Sequence, residues 1–291
     1  MAYGYYPGCS SHGTAREYDI STKKVCKKLG LELKEVKDWN CCGASPAHAT
    51  SEELSLALPF RNLALAEKQG LTSIMSTCSA CYNRLKVADE TLKNTPQISE
   101  RVSEIVGESY NSNLKVIHFL DLISKELGIE SLKEKVLKPL TDIKIVSYYG
   151  CLLTRPPEFV SVDSDPENPT VMEEIIYALG AEAPDWSHKT ECCGASLALS
   201  RTDIVLRLSG EILKSARFAD ADCIAVACPL CYANLDMRQA QISSIHGVDY
   251  SLPILFISEL IGIALGIGYR GLGMNKHMVG AKTLLTEKGL I

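Results

Sequence analysis

The feature that most constrains this chain is a pattern of five cysteines that occurs twice. A Cys-Cys-Gly-Ala-Ser pentapeptide and a Cys-x-x-Cys-Tyr segment recur at offsets of 151 and 150 residues, and one earlier cysteine precedes each copy. The two sets are Cys9, Cys41, Cys42, Cys78 and Cys81, and Cys151, Cys192, Cys193, Cys228 and Cys231. Internal similarity of this kind indicates a duplication. We therefore expect two related halves, residues 1–140 and residues 141–291, the second with a C-terminal tail.

The two halves differ in three places. The first cysteines of the two sets are only 142 residues apart, so the second half contains an insertion, and the turn-forming run 163–169 is the best candidate for it. Arg84 of the first half corresponds to Asn234, and the residues after Gly266 have no counterpart. If the two halves bind different chemical groups, we expect the difference to arise at these three places.

Each half alternates short β-rich runs with longer helical patterns. The first half is predicted to contain strands at 3–7, 31–36 and 72–76 and helices at 16–29, 52–69 and 82–93. The stretches 114–128 and 252–266 match at an offset of 138 and each predict a strand followed by a helix. This order predicts an α/β fold of two duplicated Rossmann-like βαβ domains, related by pseudo-twofold symmetry and each with a mainly parallel sheet.

The cysteines follow the predicted strands. In the first half one thiol follows the first strand, the adjacent pair follows the second, and the Cys-x-x-Cys segment follows the third. The second half repeats this after 144–149, near Thr190–Glu191, and after 224–227. Because parallel strands point the same way, the five thiols of each half should converge at the carboxyl ends of the strands, where α/β proteins usually bind ligands.

Composition and the chain ends limit the class of protein. With 46% hydrophobic and 22% charged residues and a net charge of −5, the chain is typical of a globular protein and does not favour nucleic-acid binding. The first residues lack a basic and apolar signal peptide, so we expect a reducing cytoplasmic environment. The apolar run 252–266 contains Pro253 and Glu259 and is barely long enough to cross a bilayer, so we expect no membrane span.

Two sets of five thiols are compatible with several chemical roles. Buried structural cysteines would not reproduce the same spacing twice, and a redox dithiol formed by Cys78 and Cys81 leaves three thiols without a role. Structural zinc takes four ligands rather than five. Iron–sulfur clusters require clustered thiolates. A fifth thiolate would then bridge two irons, bind outside a cube or mark a cluster of another shape.

The motif spacing resembles that of a known family. The pattern Cys-x31-Cys-Cys-Gly-x34-Cys-x2-Cys and its repeat Cys-x40-Cys-Cys-Gly-x33-Cys-x2-Cys resemble the CCG domain. A chain of two such domains resembles the B subunits of the heterodisulfide reductases of methanogenic archaea, from Cys9 to about Gly266. The resemblance implies a non-cubane 4Fe-4S cluster in each domain, with the five cysteines of each set as ligands. It also implies a catalytic role, the reduction of the mixed disulfide of coenzyme M and coenzyme B to two thiols.

The same resemblance implies a multi-subunit complex. The chain has no ferredoxin-type Cys-x2-Cys-x2-Cys-x3-Cys run, so electrons must come from another protein. The family implies a ferredoxin-like iron–sulfur subunit of the C type and a flavin-containing subunit of the A type, with a hydrogenase or a formate dehydrogenase as further candidate partners. CCG domains also occur in iron–sulfur subunits of lactate, glycolate, glycerol-phosphate and fumarate oxidoreductases. The alternative function is therefore electron transfer in such an enzyme.

Other residues near the motifs are weaker candidates. His12 and His48 lie near the first motif and could donate protons to leaving thiolates. Anionic groups of the substrate would require cations, and the candidates are Arg84, Arg155, Arg201 and Lys276. Cys26 and Cys223 lie outside both motifs, within apolar patterns, and are expected to be inert residues of the core.

Overall fold

The computed structural model describes residues 2–44 and 47–291, except for the side chain of His48. Four parallel strands form the first sheet, in the order β2-β1-β3-β4, and three parallel strands form the second, in the order β5-β6-β7. The strands are β1 Ala2–Tyr6, β2 Glu32–Glu35, β3 Ser73–Ser76, β4 Lys115–His118, β5 Ile145–Tyr148, β6 Cys223–Val226 and β7 Ile254–Phe256. The predicted α/β class with two parallel sheet units is confirmed.

Helices connect the strands and cover the sheets. In the first half they are α1 Gly8–His12, α2 Arg16–Leu29, α3 Ala47–Thr50, α4 Glu52–Lys68, α5 Ser79–Asn94, α6 Pro96–Val106, α7 Phe119–Asp121 with a π-helical turn Leu122–Gly128, and α8 Ile129–Glu134. In the second half they are α9 Val171–Ala178, α10 Thr202–Phe218, α11 Pro229–Leu235, α12 Gln239–His246, α13 Ile257–Ala264 and α14 Lys282–Glu287. Short 3₁₀ turns are Cys151–Leu153, Ala195–Leu197, Tyr269–Leu272 and Met274–Lys276.

Local sequence accounts for the ends of α2. Glu17 and Asp19 lie in its first turn and Lys27 and Lys28 in its last, which complements the helix dipole. Gly30 follows in the left-handed conformation, and its N–H bonds back to the last turn. These signals explain why the predicted bounds of this helix agree with the structure.

The helix after the first Cys-x-x-Cys segment begins earlier than the sequence predicts. We expected a helix from residue 82, but α5 starts at Ser79, and α11 starts at Pro229 in the second half. Cys78 and Cys228 are the residues that precede the first turn, and both have extended backbone angles. The second thiol of each segment therefore lies inside the first turn, which fixes its direction relative to the first thiol.

In the part of the chain that the structure describes, the second sheet has no counterpart of β2. The sequence places a strand near Thr190–Glu191, but the chain there is irregular, and only a single bridge joins Lys144 to Glu182. Pro184 removes a backbone donor just after that bridge, so a ladder cannot continue through it. The indole of Trp186 instead donates to the Ser147 carbonyl at 3.0 Å. The second cysteine pair is thus held by a loop rather than by a strand.

The two halves pack against each other. The ring of Tyr18 in α2 stacks on Phe256 at the end of β7, with centroids 4.0 Å apart and planes 11° from parallel. Nearby, the hydroxyls of Ser21 and Ser258 are 2.6 Å apart. The buried residues of both halves form one hydrophobic cluster. Among the residues described, no helix is long and apolar enough to cross a membrane.

Candidate metal centre

The first five cysteines meet at the carboxyl ends of β1, β2 and β3. Cys9 lies in α1, directly after β1, and Cys42 lies in the loop after β2. The Sγ of Cys42 is 3.4 Å from the Sγ of Cys81, and further hydrogen bonds link Cys9 to Cys41 and Cys41 to Cys42. We call these five thiols the first site. The structure brings together all the residues that the sequence grouped there.

The corresponding thiols of the second half surround a cavity. Cys193 and Cys231 have their Sγ atoms 3.6 Å apart, and Cys151 hydrogen-bonds Cys192. A cavity of about 150 Å³ is lined by all five of these cysteines, and Ala44, Ser79 and Ala80 close it from the first half. We call these five thiols the second site. Its wall therefore includes residues from both halves.

The two sites adjoin each other at the boundary between the halves. Cys78 of the first site and Cys228 of the second are close enough that each shifts the pKa of the other thiol. Beside them, the Ser79 hydroxyl donates to the Ala227 carbonyl at 3.0 Å. Both thiols are buried, with 3% exposure each. The duplication thus places the two thiol sets back to back rather than at opposite ends of the molecule.

A glycine before the first cysteine of each set permits the close packing of the thiols. Gly8 has φ +70°, and a Cβ there would lie 2.8 Å from the Sγ of Cys81. Gly150 has φ +65°, and its Cβ would lie 3.0 Å from the Sγ of Cys231. Both the left-handed conformation and the short distance require glycine. The spacing of the cysteines does not reveal these positions, although a Gly-Cys dipeptide occurs in both copies of the repeat.

Backbone groups and neighbouring thiols polarise each site. The N–H of Gly43 lies 3.5 Å from the Sγ of Cys41, and the N–H of Gly194 lies 3.3 Å from the Sγ of Cys192. Hydrogen bonds from Cys42 and Cys9, together with that N–H, hold the pKa of Cys41 well below its usual range. A hydrogen bond from Cys151 and the N–H of Gly194 lower the pKa of Cys192 to about 6. Each site thus contains a thiol that favours the thiolate form, which is the form that binds metal.

The donor set fits an iron–sulfur cluster. Each site offers five thiols at the carboxyl end of a sheet, and thiolates are the ligands that iron–sulfur clusters require. The cavity of the second site gives the five sulfurs a common, mostly apolar space. Within residues 2–44 and 47–291, no three side chains of His, Cys, Asp and Glu are arranged as ligands of one metal ion.

The structure places the candidate substrate-binding and proton-donating residues in different surroundings. Arg155 pairs with Glu167 beside the second site and donates to the Thr190 carbonyl. Arg201 is exposed and pairs with Asp203, and Lys276 is exposed in the C-terminal tail. His12 is exposed, and its ring meets Trp39 edge-on at 5.3 Å. The side chain of His48 lies outside the described part of the chain.

Arg84 and the two remaining cysteines are buried to different degrees. Arg84 is half-buried and lies close enough to the first site for the charge of Cys42 to act on it. Cys26 and Cys223 are fully buried, and burial raises the pKa of both thiols, to about 12 for Cys26. Their burial agrees with the expectation that both are core residues.

Two polar residues near the sites were not singled out as ligand contacts from the sequence. The amide of Asn234 donates to the carbonyl of Cys193 at 3.2 Å and lies 3.5 Å from its Sγ. The ring of His118 is fully buried, and its Nε2 lies 3.2 Å from the carbonyl of Thr77, the residue before Cys78. No spacing in the sequence links His118 to the motif, because the contact depends on the pairing of β3 with β4.

Comparison with known proteins agrees with this site. The sequence model of the cysteine-rich CCG domain matches residues 3–86 and 145–236. The 8-methylmenaquinol:fumarate reductase membrane anchor subunit of Wolinella succinogenes is 32% identical, over 97% of this chain and 98% of that protein. The B subunit of the ferredoxin/F(420)H(2)-dependent CoB-CoM heterodisulfide reductase of Methanosarcina acetivorans is 31% identical, over 94% of this chain and 92% of that protein.

Two further proteins resemble this chain, one in sequence and one in fold. A protein of Archaeoglobus profundus that is named for its likeness to the heterodisulfide reductase B subunit is 31% identical over 91% of both chains. The crystal structure of a hypothetical protein from Helicobacter pylori shares the fold, with a TM-score of 0.76 and 16% identity, over 97% of this chain and 52% of that one. This chain therefore belongs to the family of two-CCG-domain proteins that includes the B subunit of heterodisulfide reductase.

Proposed function

We propose that this chain is the catalytic subunit of a heterodisulfide reductase, in which the mixed disulfide of coenzyme M and coenzyme B is reduced to two thiols. The observation that carries the proposal is the contact between the two thiol sets at Cys78 and Cys228. A disulfide bound near that boundary could be reached from both sites. The family supports the coarser role of an iron–sulfur electron-transfer subunit in an oxidoreductase complex.

The residues of each site would hold one non-cubane 4Fe-4S cluster. The ligands would be Cys9, Cys41, Cys42, Cys78 and Cys81 in the domain of residues 1–140, and Cys151, Cys192, Cys193, Cys228 and Cys231 in the domain of residues 141–291. Iron–sulfur clusters supply electrons one at a time, so two of them match the two electrons of disulfide cleavage.

The chain itself contributes binding, exclusion of water and backbone donors. Cleavage of the S–S bond consumes two electrons and two protons and releases two thiols. Six of the ten thiols are at most 8% exposed, which keeps water from the ligand atoms: Cys42, Cys78, Cys81, Cys193, Cys228 and Cys231. The N–H groups of Gly43 and Gly194 favour negative charge on sulfur. His12 and His48 remain our candidates for the protons, and Arg84, Arg155, Arg201 and Lys276 for substrate anions.

The electrons would come from other subunits. The chain contains no ferredoxin-type cysteine run, so we propose a ferredoxin-like iron–sulfur subunit as the direct donor and a flavin-containing subunit that supplies it. A hydrogenase or a formate dehydrogenase could feed that flavin. We place this complex in the cytoplasm, where thiol ligands stay reduced.

A second candidate function has its own support. The relative in Wolinella succinogenes covers the chain as fully as the heterodisulfide reductases do, and its name states a role in fumarate reduction. In that case the chain would pass electrons between a quinol and a flavin subunit and would not reduce a disulfide. Both functions use the same ten cysteines, so the substrate distinguishes them.

The test begins with anaerobically purified protein. We expect about eight irons and eight acid-labile sulfides per chain, whereas two zinc ions and no sulfide would refute the cluster assignment. The protein is then reduced with a low-potential viologen and supplied with the coenzyme M–coenzyme B disulfide. Formation of two thiols per disulfide, lost in Cys193→Ser, supports the proposal. A fully loaded chain that exchanges electrons but leaves the disulfide intact would favour the fumarate-type role.

A further inference from the structure

The two sites are built alike, so their differences in charge can be compared position by position. The hydroxyl of Tyr6 donates to the carbonyl of Asn40 at 2.7 Å, and the hydroxyl of Tyr148 donates to the carbonyl of Glu191 at the same distance. Asn40 and Glu191 each directly precede the cysteine pair. A charge at one of these matched positions therefore lies at the same place relative to the sulfurs in either half.

The first difference is at Arg84 and Asn234. Each is the sixth residue of its helix, α5 or α11, and each lies three residues after the second thiol of the Cys-x-x-Cys segment. In the second half the neutral amide of Asn234 lies 3.5 Å from the Sγ of Cys193. In the first half this position carries a guanidinium, half-buried, whose pKa is lowered by burial and raised by the charge of Cys42.

Arg84 is not neutralised. Its Nη2 donates to the side-chain oxygen of Asn83 at 3.0 Å, and Asn83 is in turn bound to the carbonyls of Leu152 and Arg155 in the other half. Among the described residues, no carboxylate lies within ion-pair distance of Arg84. A fixed positive charge thus accompanies the first site, whereas the matched position of the second site is the neutral Asn234.

The second difference is at Asn40 and Glu191. The neutral side chain of Asn40 precedes the cysteine pair of the first site, whereas the carboxylate of Glu191 precedes that of the second. Glu191 is exposed, and its charge acts to raise the pKa of Cys192. A third pair of positions is Lys86 of α5 and Asp236, which directly follows α11, but Lys86 is paired with Glu90 at 2.8 Å and adds no unpaired charge. The differences between Arg84 and Asn234 and between Asn40 and Glu191 both make the first site the more positive one.

Most other cations near the sites are in ion pairs. These pairs are Arg61 with Asp38, Lys86 with Glu90, Arg155 with Glu167, Lys189 with Glu173, and His277 with Glu259. Arg238 is half-buried like Arg84, donates to the carbonyl of Ala198 and lines a groove of about 470 Å³ beside the second site. It lies seven residues after the second thiol of its segment, whereas Arg84 lies three residues after its own and occupies the position that contacts the Sγ of Cys193 in the second half.

We infer that Arg84 makes the first site more easily reduced than the second, so that an electron entering the chain settles in the first half. Reduction adds one negative charge to a site, and a nearby cation stabilises that charge while a nearby carboxylate opposes it. One electron leaves the second site and one arrives at the first, with no bond formed or broken. The inference rests on a cluster at each site, as proposed above, but not on the identity of the substrate.

The test measures each site separately. Cys193→Ser should leave only the first site loaded and Cys42→Ser only the second, and each chain is titrated with dithionite while its paramagnetic signal is recorded. We expect the first site to have the higher reduction potential. Arg84→Asn should lower that potential, and Asn234→Arg should raise the potential of the second site. The expected size is about tenfold in the one-electron equilibrium, or about 59 mV.

Two controls separate charge from structure. Arg84→Lys keeps the positive charge and should restore most of the potential, and Arg207→Asn removes an exposed charge of α10 and should change neither site. Iron and sulfide content of every variant shows whether the clusters are present. If Arg84→Asn does not assemble its cluster, Asn234→Arg and Glu191→Gln test the inference instead, because both are expected to raise the reduction potential of the second site.

The outcomes are distinguishable from a failure of the proposed function. Loaded chains whose potentials stay unchanged in Arg84→Asn and Asn234→Arg would overturn this inference alone. The same holds if the second site proves the more easily reduced one. A wild-type chain without iron and sulfide would overturn both. A shift in potential without any disulfide reduction would uphold the inference and refute the catalytic proposal.

Discussion

Replacement of Gly8 by alanine tests whether the thiols depend on close backbone approach. The new Cβ would lie 2.8 Å from the Sγ of Cys81, whereas carbon atoms in contact are roughly 3.5–4.0 Å apart and sulfur is larger. Cys81 is 4% exposed, and its Sγ is already 3.4 Å from that of Cys42. The sulfur therefore cannot withdraw without displacing a second thiol of the first site.

The loss of stability expected for Gly8→Ala has two parts. Alanine in the left-handed conformation costs about 1–2 kcal/mol, and crowding in a packed interior adds about 1–3 kcal/mol. Gly30 provides the matched control, because it has φ +79° but a Cβ added there would meet nothing within 4 Å. Gly30→Ala should therefore show only the first part. The difference between the two variants isolates the contact with the sulfur.

The assay combines unfolding with metal content. Urea unfolding followed by circular dichroism should show a larger loss of stability for Gly8→Ala than for Gly30→Ala. Iron per chain should fall toward half in Gly8→Ala, because the first site alone is distorted, and should be unchanged in Gly30→Ala. Equal losses of stability in the two variants, with full iron in both, would refute the reasoning.

Three further predictions concern the core and the sites. Burial lowers the pKa of His277, but Glu259, 2.7 Å away, raises it to about 9. This pair should therefore add about 3 kcal/mol to the free energy of unfolding below pH ~6.5, and this contribution should be lost as the pH rises through about 9. His277→Gln should flatten that part of the curve of unfolding free energy against pH, and an unchanged slope would contradict the assignment. Tyr18→Phe removes a buried hydroxyl that has no partner among the described residues, so stability should stay level or rise by about 1 kcal/mol in thermal unfolding. Cys42→Ser or Cys193→Ser should leave the fold intact but remove the spectroscopic signal of one half; unfolding of both halves would show that the clusters hold the domains together.

Much of the architecture could be predicted because it depends on local patterns. The duplication follows from the repeated thiol spacing, and α2 follows from its charged ends and Gly30. Convergence of the thiols required only that the strands be parallel, since the carboxyl ends of parallel strands share one edge of a sheet. The early start of α5 was missed because the turn at Ser79 contains no strong capping signal.

The relation between the halves could not be predicted from spacing. Cys78 and Cys228 lie 150 residues apart and are brought together by the packing of the two halves, which includes the contacts of Tyr18 with Phe256 and of Ser79 with Ala227. Long-range contacts of this kind depend on the shapes of two assembled surfaces, which no local pattern encodes.

The sequence alone indicates two sets of thiols, the members of each set and the parallel sheets that present them. Packing then places the two sets next to each other, brings Asn234 against Cys193 with a cation at the matching place of the first half, and pairs His277 of the tail with Glu259. Thiol spacing and strand direction are local properties of the chain. Contacts between residues far apart in the sequence, whether within one half or between the halves, form only when the whole chain folds, so no local pattern encodes them.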